Sequence, residues 1–511
     1  MNKINLVFSI IFMIWVRISA SETPNVVIIL ADDLGIGDVS TYNENAAWET
    51  PSIDKLAAGG MRFTDAHTSS SICTPTRYSI LTGRYNWRST RKAGGGGGYS
   101  PPLIKNERTT IAEMFRGQGY ETALIGKWHL GWDWYTVGNE TETFGNKVRP
   151  VVDFSKPIKN GPEKQGFEYF FGTAASLSSP PFVWVENSQA TAIPSSISVN
   201  YDEKAFWRRG PKADDFDHIY VLSDITHRSI HYLQKQAARG KPFFLYVALT
   251  APHAPIIPTS EFVGKSNTNA YGDFVLQVDE AVGKIVDAIS SNAGLGNTLI
   301  FFTSDNGQSP RADFDDEELP LAGHNGSYIY RGKKFDVFEG GHRVPFIASW
   351  PGNIEPNSQS DEIICTVDFM ATASDVLGVE LGDDTAEDSY SFLPVLTGES
   401  YKQPLREATV MQSGSGRFSI RQGDWKLILW PGSGGWAYPE TEEDMKGLPR
   451  FQLYNLGDDP GETTNLVTKF PDLVKDLKGL LTKYVKEGRS TPGAPQKNDG
   501  PEFWSELEWM K

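Results

Sequence analysis

The stretch NVVIILADD, residues 25–33, is an apolar run that ends in two aspartates. An apolar run without polar alternation predicts a strand that is buried on both faces. Comparable runs follow along the chain at FFLYVALTAPHAP (243–255), TLIFFTSDNG (298–307) and VPFIASWPG (344–352). The segments 109–120 and 279–291 have the apolar spacing that is typical of helices. Because buried strands alternate with helices, we predict an α/β fold with a large, mostly parallel mixed sheet sandwiched by helices.

The sequence pattern changes after about residue 385. FSIRQGDWKLILW (418–430) predicts two antiparallel strands around a Gly-Asp turn, and residues 472–487 have the spacing of an amphipathic helix. We therefore predict a large domain over residues 21–385 and a smaller C-terminal α+β subdomain with antiparallel strands over residues 386–511.

Composition and charge limit the classes of function. The 511 residues carry a formal net charge of −16, and 39% of them are hydrophobic. The chain can bury a large core, and its charge argues against a general nucleic-acid binder while allowing a locally basic pocket. Residues 1–20 have the pattern of a signal peptide, since Lys3 precedes an apolar core that is too short to span a bilayer. We expect a periplasmic or secreted protein without stable membrane insertion; an N-terminal anchor is the alternative.

Polar side chains follow the predicted strands where each strand ends. Asp32 and Asp33 come after the first strand, and Asp305 and Asn306 come after a later one. Each pair taken singly is explained by a turn or a helix cap. Because sites in parallel sheets form at the carboxyl ends of strands, we expect the two pairs to meet there. Carboxylate and amide oxygens together suit a hard cation such as Ca²⁺.

Cys73 is one of only two cysteines, and it stands at the start of the segment CTPTRYSILTGRY, residues 73–85. Pro75 suits a first helical turn, so we place Cys73 at a helix N-terminus, with Arg77 one turn further on the same face. Backbone N–H groups at that position favour anions. A thiolate nucleophile of a cysteine hydrolase and a disulfide with Cys365 are the alternatives.

The segment C-T-P-T-R, extended through YSILTGRY, resembles the signature of type I sulfatases. In that family a separate maturation enzyme oxidises the cysteine of C-x-P-x-R to formylglycine. The resemblance therefore implies that Cys73 is the precursor of formylglycine and that Pro75 and Arg77 belong to the signal for that enzyme. It also implies the alkaline-phosphatase-like sulfatase fold, with the catalytic domain over residues 21–385.

Further family motifs occur in the expected order, and the resemblance assigns their residues. GKWHLG (126–131) supplies a Lys and a His, which an extended backbone would point to one side, and APHAP (251–255) supplies a second His. RGKKFDVFEGG (331–341) supplies the Lys five residues before Glu-Gly-Gly. The implied catalytic residues are Cys73 as formylglycine, Arg77, Lys127, His129, His253 and Lys334. The implied ligands of one Ca²⁺ are Asp32, Asp33, Cys73 as formylglycine, Asp305 and Asn306.

The resemblance implies hydrolysis of a sulfate ester that Arg77, Lys127 and Lys334 hold, with His129 and His253 moving protons. We expect an exo-acting enzyme on sulfated carbohydrate, such as algal polysaccharide or glycosaminoglycan oligosaccharides. Substrate-binding candidates are Ser176, which matches a family segment, and His324 and Arg343. The aromatic residues Trp132, Trp134, Tyr135 and Trp184 are candidates for the pocket wall. The alternatives are a phosphate-ester or phosphonate hydrolase of the wider superfamily and a non-enzymatic sulfoglycan-binding homologue.

Overall fold

The computed structural model describes residues 23–144, 147–199, 203–313 and 323–511, so the predicted signal peptide lies outside the described residues. The helices are α1 (Pro51–Ala58), α2 (Cys73–Thr82), α3 (Ile111–Gly117), α4 (Val221–Arg239), α5 (Ala270–Ser290), α6 (Glu339–His342), α7 (Phe369–Leu377), α8 (Leu393–Thr397) and α9 (Pro471–Glu487). The strands are β1 (Asn25–Asp32), β2 (Met61–Phe63), β3 (Ala66–His67), β4 (Glu121–Lys127), β5 (Thr136–Phe144), β6 (Lys147–Val152), β7 (Tyr169–Thr173), β8 (Val185–Glu186), β9 (Gln189–Ala190), β10 (Ser196–Ser198), β11 (Gly210–Lys212), β12 (Phe243–Pro252), β13 (Thr298–Ser304), β14 (Phe346–Ser349), β15 (Ser358–Ser360), β16 (Ile364–Cys365), β17 (Thr409–Gln412), β18 (Phe418–Gln422), β19 (Trp425–Ile428) and β20 (Gln452–Asn455).

The main sheet has ten strands in the order β15-β2-β14-β13-β1-β12-β4-β7-β8-β9. Its centre, from β13 through β1, β12 and β4 to β7, is parallel, while β14 runs antiparallel to β13. All eight residues of β1 are buried, as the apolar run at 25–33 predicts for a strand covered on both faces. The predicted fold class, a mostly parallel mixed sheet with helices, is confirmed.

Helix α5 begins at Ala270, nine residues before the segment in which the periodicity predicts a helix. Asn269 caps it, because its side-chain oxygen accepts hydrogen bonds from the backbone N–H groups of Tyr271 and Gly272. α5 packs against α4, α1 and β12, and its apolar face therefore covers the sheet on that side.

The C-terminal subdomain is built on an antiparallel sheet in the order β17-β18-β19-β20, against which α9 packs. β18 and β19 form the predicted hairpin, with Gly423 at φ 56° in its turn. The core beneath this sheet also contains Tyr85 and Trp87, which come shortly after the end of α2 at Thr82. The subdomain therefore rests on the segment that carries the Cys73 motif.

The described residues settle one alternative, while the N-terminal anchor alternative lies outside them. Cys73 and Cys365 are both buried and free, so the disulfide alternative is wrong. No helix in the described ranges is long and apolar enough to cross a membrane.

Candidate active site

The sheet order brings the predicted polar residues to one edge. β13, β1, β12 and β4 are consecutive neighbours in the parallel centre, so their carboxyl ends lie side by side. Asp32 ends β1 and Lys127 ends β4, while Asp305 directly follows β13 and His253 directly follows β12. The site is therefore assembled from the ends of four strands that are far apart in sequence.

Helix α2 presents the Cys73 motif to this edge. Every residue of the helix is buried, and it begins at Cys73 without a side-chain cap. Arg77 lies one turn further on: its Nε and Nη2 are 2.9 and 2.8 Å from Asp305 Oδ2. Its Nη1 donates a hydrogen bond to the carbonyl oxygen of Lys127 at 3.0 Å. The guanidinium therefore fixes the helix start against the ends of β13 and β4.

Each of the three carboxylates has a cation within 3 Å. Lys127 Nζ lies 2.8 and 2.6 Å from the two carboxylate oxygens of Asp32, and Lys334 Nζ lies 2.7 Å from Asp33 Oδ2. Asp305 is paired with Arg77. Burial opposes ionisation of Asp32, yet Lys127 and the other nearby cations hold its pKa below the usual range. The three pairs together carry no net charge, so a divalent cation would make the site positive.

The residues present fit a divalent cation. Ligand atoms of Asp32, Cys73 and Asp305 all lie within 4.8 Å of one another, as do those of Asp32, Asp33 and His253. Burial raises the pKa of Asp305, and repulsion by the adjacent carboxylate of Asp32 raises it further. A bound cation would reduce this repulsion.

The amide of Asn306 completes the set of oxygen atoms. Its Nδ2 donates to Asp33 Oδ1 at 2.8 Å, while its Oδ1 is buried and has no hydrogen-bond partner among the described residues. A buried acceptor without a partner is costly, and a cation would satisfy it. Carboxylate and amide oxygens are the ligands that Ca²⁺ prefers.

The two histidines are held as neutral bases. His129 Nε2 contacts the carbonyl oxygen of Gly96 at 2.9 Å, and burial followed by the charge of Lys127 lowers its pKa well below the usual value. His253 Nε2 lies 3.7 Å from Asp33 Oδ2, and burial lowers its pKa to about 4, although Asp33 acts in the opposite direction. Each imidazole can therefore accept a proton at neutral pH.

One local prediction about this region is wrong. His129 has φ 58°, so the backbone at the Lys-Trp-His segment turns instead of staying extended. The glycine run at 94–98 also reaches the site, because Gly96 contacts His129. Trp134 Nε1 also donates a hydrogen bond to the carbonyl oxygen of Gly98 at 2.8 Å.

The predicted substrate-binding residues lie in different surroundings. Ser176 is buried, with its Oγ 3.4 Å from Ser178 Oγ. His324 Nε2 lies 2.9 Å from Asp38 Oδ1, and its ring lies against Trp48. Their contact with substrate stays a prediction.

Arg343, the third of these residues, pairs with Glu339 at 2.8 Å and with Asp65 at 3.0 Å. Its role in substrate binding also stays a prediction. Three of the four aromatic candidates for the pocket wall, Trp132, Trp134 and Trp184, are buried in the core, which corrects that expectation. Tyr135 is 50% exposed.

Two cavities differ in their position relative to the predicted site residues, and one of them lies beside Lys334. One of 390 Å³ is lined by Lys334 and by Trp436, a residue that the sequence analysis missed because nothing local links it to the motifs. The largest of the described cavities, 660 Å³, lies at the opposite end of the strands, where it is lined by Glu121 at the start of β4 and Tyr169 at the start of β7. That larger cavity holds none of the predicted site residues, so we assign the chemistry to the edge near Cys73.

Known proteins resemble this chain along most of its length. The family model described as Sulfatase matches residues 24–379, and the model described as N-sulphoglucosamine sulphohydrolase, C-terminal, matches residues 326–487. N-acetylgalactosamine-6-O-sulfatase of Bacteroides thetaiotaomicron is 32% identical, over 90% of this chain and 93% of that protein. N-acetylgalactosamine-6-sulfatase of Mus musculus is 30% identical, over 94% of this chain and 89% of its own length.

A comparison with solved structures gives a similar result. A protein described in connection with the metabolism of multiple glycosaminoglycans by Bacteroides thetaiotaomicron superposes with a TM-score of 0.78 at 31% identity. The superposition covers 91% of this chain and 99% of that one. The chain therefore has the alkaline-phosphatase-like fold and belongs to the sulfatase family, whose members are sulfuric ester hydrolases.

Proposed function

We propose that this sulfatase depends on Ca²⁺ and on formylglycine made from Cys73, and that it removes sulfate from the ends of sulfated carbohydrate chains. The observation that carries the proposal is the position of Cys73. Its thiol lies within 4.8 Å of carboxylate oxygens of Asp32 and Asp305, at the buried start of α2. A residue there can contact both a cation and an anionic substrate.

The charges of the site suit an anionic ester. Arg77, Lys127 and Lys334 point toward the carboxylate cluster, and each lies within 3 Å of one carboxylate. When bound, Ca²⁺ would supply positive charge that polarises the sulfate group, and Asp32, Asp33, Asp305 and Asn306 would hold it. The three cationic side chains would bind the sulfate oxygens and stabilise the charge that develops on them.

Proton transfer falls to the two neutral histidines and to one lysine. Lys334 stays protonated, since burial is outweighed by Asp33, which raises the pKa of the ammonium group. Lys334 and His253 both contact Asp33, so both lie on the same side of the cluster. We assign the protonated Lys334 to donate the proton that the departing alcohol oxygen needs, with the neutral His253 beside it. His129, whose Nε2 contacts the carbonyl oxygen of Gly96, would accept a proton from the residue at position 73.

The names of the relatives support a substrate class. Both curated relatives reported above are named for 6-sulfated N-acetylgalactosamine, and both align over most of their length. We propose a glycosaminoglycan oligosaccharide that carries such a sugar at its end as the substrate.

One partner and one location follow from the proposal. A maturation enzyme would convert Cys73 before or during folding, because every residue of α2 is buried in the folded chain. Export to the periplasm or the medium would bring the enzyme to its glycan, and fractionation of the host cells tests this location.

Mass spectrometry and sulfate release together test the function. Protein made with a maturation enzyme should show a loss of about 18 Da at residue 73, the change from thiol to aldehyde that prepares a nucleophile. It should release inorganic sulfate from 6-sulfated N-acetylgalactosamine oligosaccharides, and C73A should release none. Release of phosphate from phosphate esters at a higher rate would support a phosphate-ester hydrolase instead.

The calcium site is tested by a measurement that does not need activity. Ca²⁺ at a hundredfold excess over its Kd should stabilise the fold by about 2.7 kcal/mol, seen as a rise in the thermal midpoint. D305N, which removes one carboxylate charge from the cluster, should lose most of this rise. An equal rise in D305N would contradict the assignment.

A further inference from the structure

The cavity of 390 Å³ beside Lys334 connects the catalytic lysine to the C-terminal subdomain. We propose that it is a subsite for a pyranose ring of the substrate glycan and that Trp436 is the aromatic surface on which this ring stacks. The inference rests on the proposed function and adds the residue that selects a sugar over other sulfate esters.

Trp436 is exposed but fixed in place. Its side chain is 50% exposed, and its indole stacks on the ring of Phe335 with centroids 4.3 Å apart and planes 22° apart. The backbone N–H groups of Trp436 and Ala437 both donate to Asp336 Oδ1, at 2.8 and 2.9 Å. One face of the indole is thus covered by Phe335, and the ring lines the cavity in a fixed orientation. A fixed aromatic surface binds a ligand with little loss of conformational entropy.

Phe335 connects this aromatic pair to the segment just before Cys73. Its φ of 82° lies in a region that is costly for a bulky residue and that persists only where neighbours fix it. Its N–H donates to the carbonyl oxygen of Ser71 at 2.8 Å, and its own carbonyl accepts from Gly414 N–H at 2.8 Å. A Cβ atom on Gly414 would lie 2.1 Å from the Phe335 ring, so the backbone of the C-terminal segment presses directly on it.

These contacts set the distance between Trp436 and the reacting centre. Phe335 directly follows Lys334 in sequence, and Ser71 lies two residues before Cys73. Phe335 is therefore joined to Lys334 by a peptide bond and to Ser71, in the segment that leads into α2, by a hydrogen bond. A sugar held against Trp436 would be placed relative to both groups at once.

The remaining wall of the cavity suits a carbohydrate. Its volume lies within the range of about 300–1,000 Å³ that is usual for small-molecule sites. Asn325 and Tyr330, two residues with polar side chains, line the cavity beside Trp436. A pyranose has an apolar C–H face and a rim of hydroxyl groups, which match an aromatic surface flanked by a few polar groups.

Kinetics on three variants of Trp436 test the subsite. W436A and W436L should raise the KM for a 6-sulfated N-acetylgalactosamine oligosaccharide about tenfold or more, while W436F, which keeps an aromatic face, should stay near wild type. kcat should change less than KM, because the ring contacts ground state and transition state alike. The matched control is Y438A: Tyr438 is 69% exposed in the same loop and is not among the residues that line the cavity.

Binding provides a readout without turnover. Calorimetry with the same oligosaccharide should give a Kd at least tenfold weaker for C73A/W436L than for C73A. The subsite is overturned if W436A and W436L have the KM of an active wild type and C73A/W436L has the Kd of C73A. The proposed function would then still stand. If wild-type protein with confirmed formylglycine releases no sulfate from any sulfated glycan, the proposed function fails and the subsite fails with it.

Discussion

The ammonium group of Lys426 joins the two parts of the molecule, and removing it should destabilise the fold strongly. Lys426 lies on β19 in the C-terminal sheet and is fully buried. Its Nζ is 3.0 Å from Glu339 Oε1 on α6 and 2.9 Å from Glu462 Oε1. His342 Nε2 lies 3.1 Å away. K426M keeps the chain volume but leaves two buried carboxylates without this cation.

The expected loss is about 3–5 kcal/mol in the free energy of unfolding, which is the usual cost of removing one partner from a buried ion pair. Its pH dependence follows from Glu462. Burial raises the pKa of Glu462 to about 7, although Lys426 lowers it. The folded state therefore binds more protons than the unfolded state between the ordinary carboxyl pKa and about 7, and stability falls as pH rises through this window.

In K426M the pKa of Glu462 should rise further, because Lys426 no longer lowers it. The loss in the free energy of unfolding should therefore be larger at pH 8 than at pH 5. Urea denaturation at both pH values measures this, and K426M/E462Q should recover part of the stability at pH 8. K446M is the matched control, since Lys446 is highly exposed and its partner Glu443 lies 3.6 Å away. The reasoning is refuted if K426M unfolds at the same urea concentration as wild type, or if E462Q gives no recovery.

Three further perturbations have defined outcomes. Burial lowers the pKa of His218 to about 4, so the unfolded chain binds more protons than the folded chain between about pH 4 and 6.5. Stability therefore falls as pH drops through this window, by up to about 3 kcal/mol. H218Q should remove this loss, and urea midpoints from pH 7 to 4.5 measure it. A Cβ atom on Gly307 would lie 1.8 Å from the carbonyl oxygen of Gly340, so G307A should displace the adjacent Asn306 and reduce the Ca²⁺-dependent rise in the thermal midpoint; an unchanged rise would contradict this. C365A should keep sulfate release, because this buried thiol is free and belongs to the core under the C-terminal sheet; loss of activity with an intact fold would count against that role.

Local patterns in the sequence were sufficient for the fold class and for the main buried strands. The run at 25–33 gives a fully buried strand, because alternation is absent only where both faces are covered. The hairpin of β18 and β19 follows from alternation around a Gly-Asp turn. The Cys73 motif indicated the reaction class through its resemblance to type I sulfatases, and the family is confirmed.

Tertiary structure decided which of these groups meet and which aromatic rings face the solvent. Lys127 pairs with Asp32 across 95 residues, and this contact exists because β12 alone separates β1 from β4 in the sheet. Trp132 and Trp184 have the sequence surroundings of pocket residues yet pack in the core, while Trp436, far from every motif, lines the cavity beside Lys334. The spacing of residues along the chain encodes contacts within one helix or strand, but strand order and the docking of the C-terminal sheet depend on the packing of the whole core. The class of reaction could therefore be predicted from the sequence, whereas the shape of the pocket beside Lys334 depends on the fold.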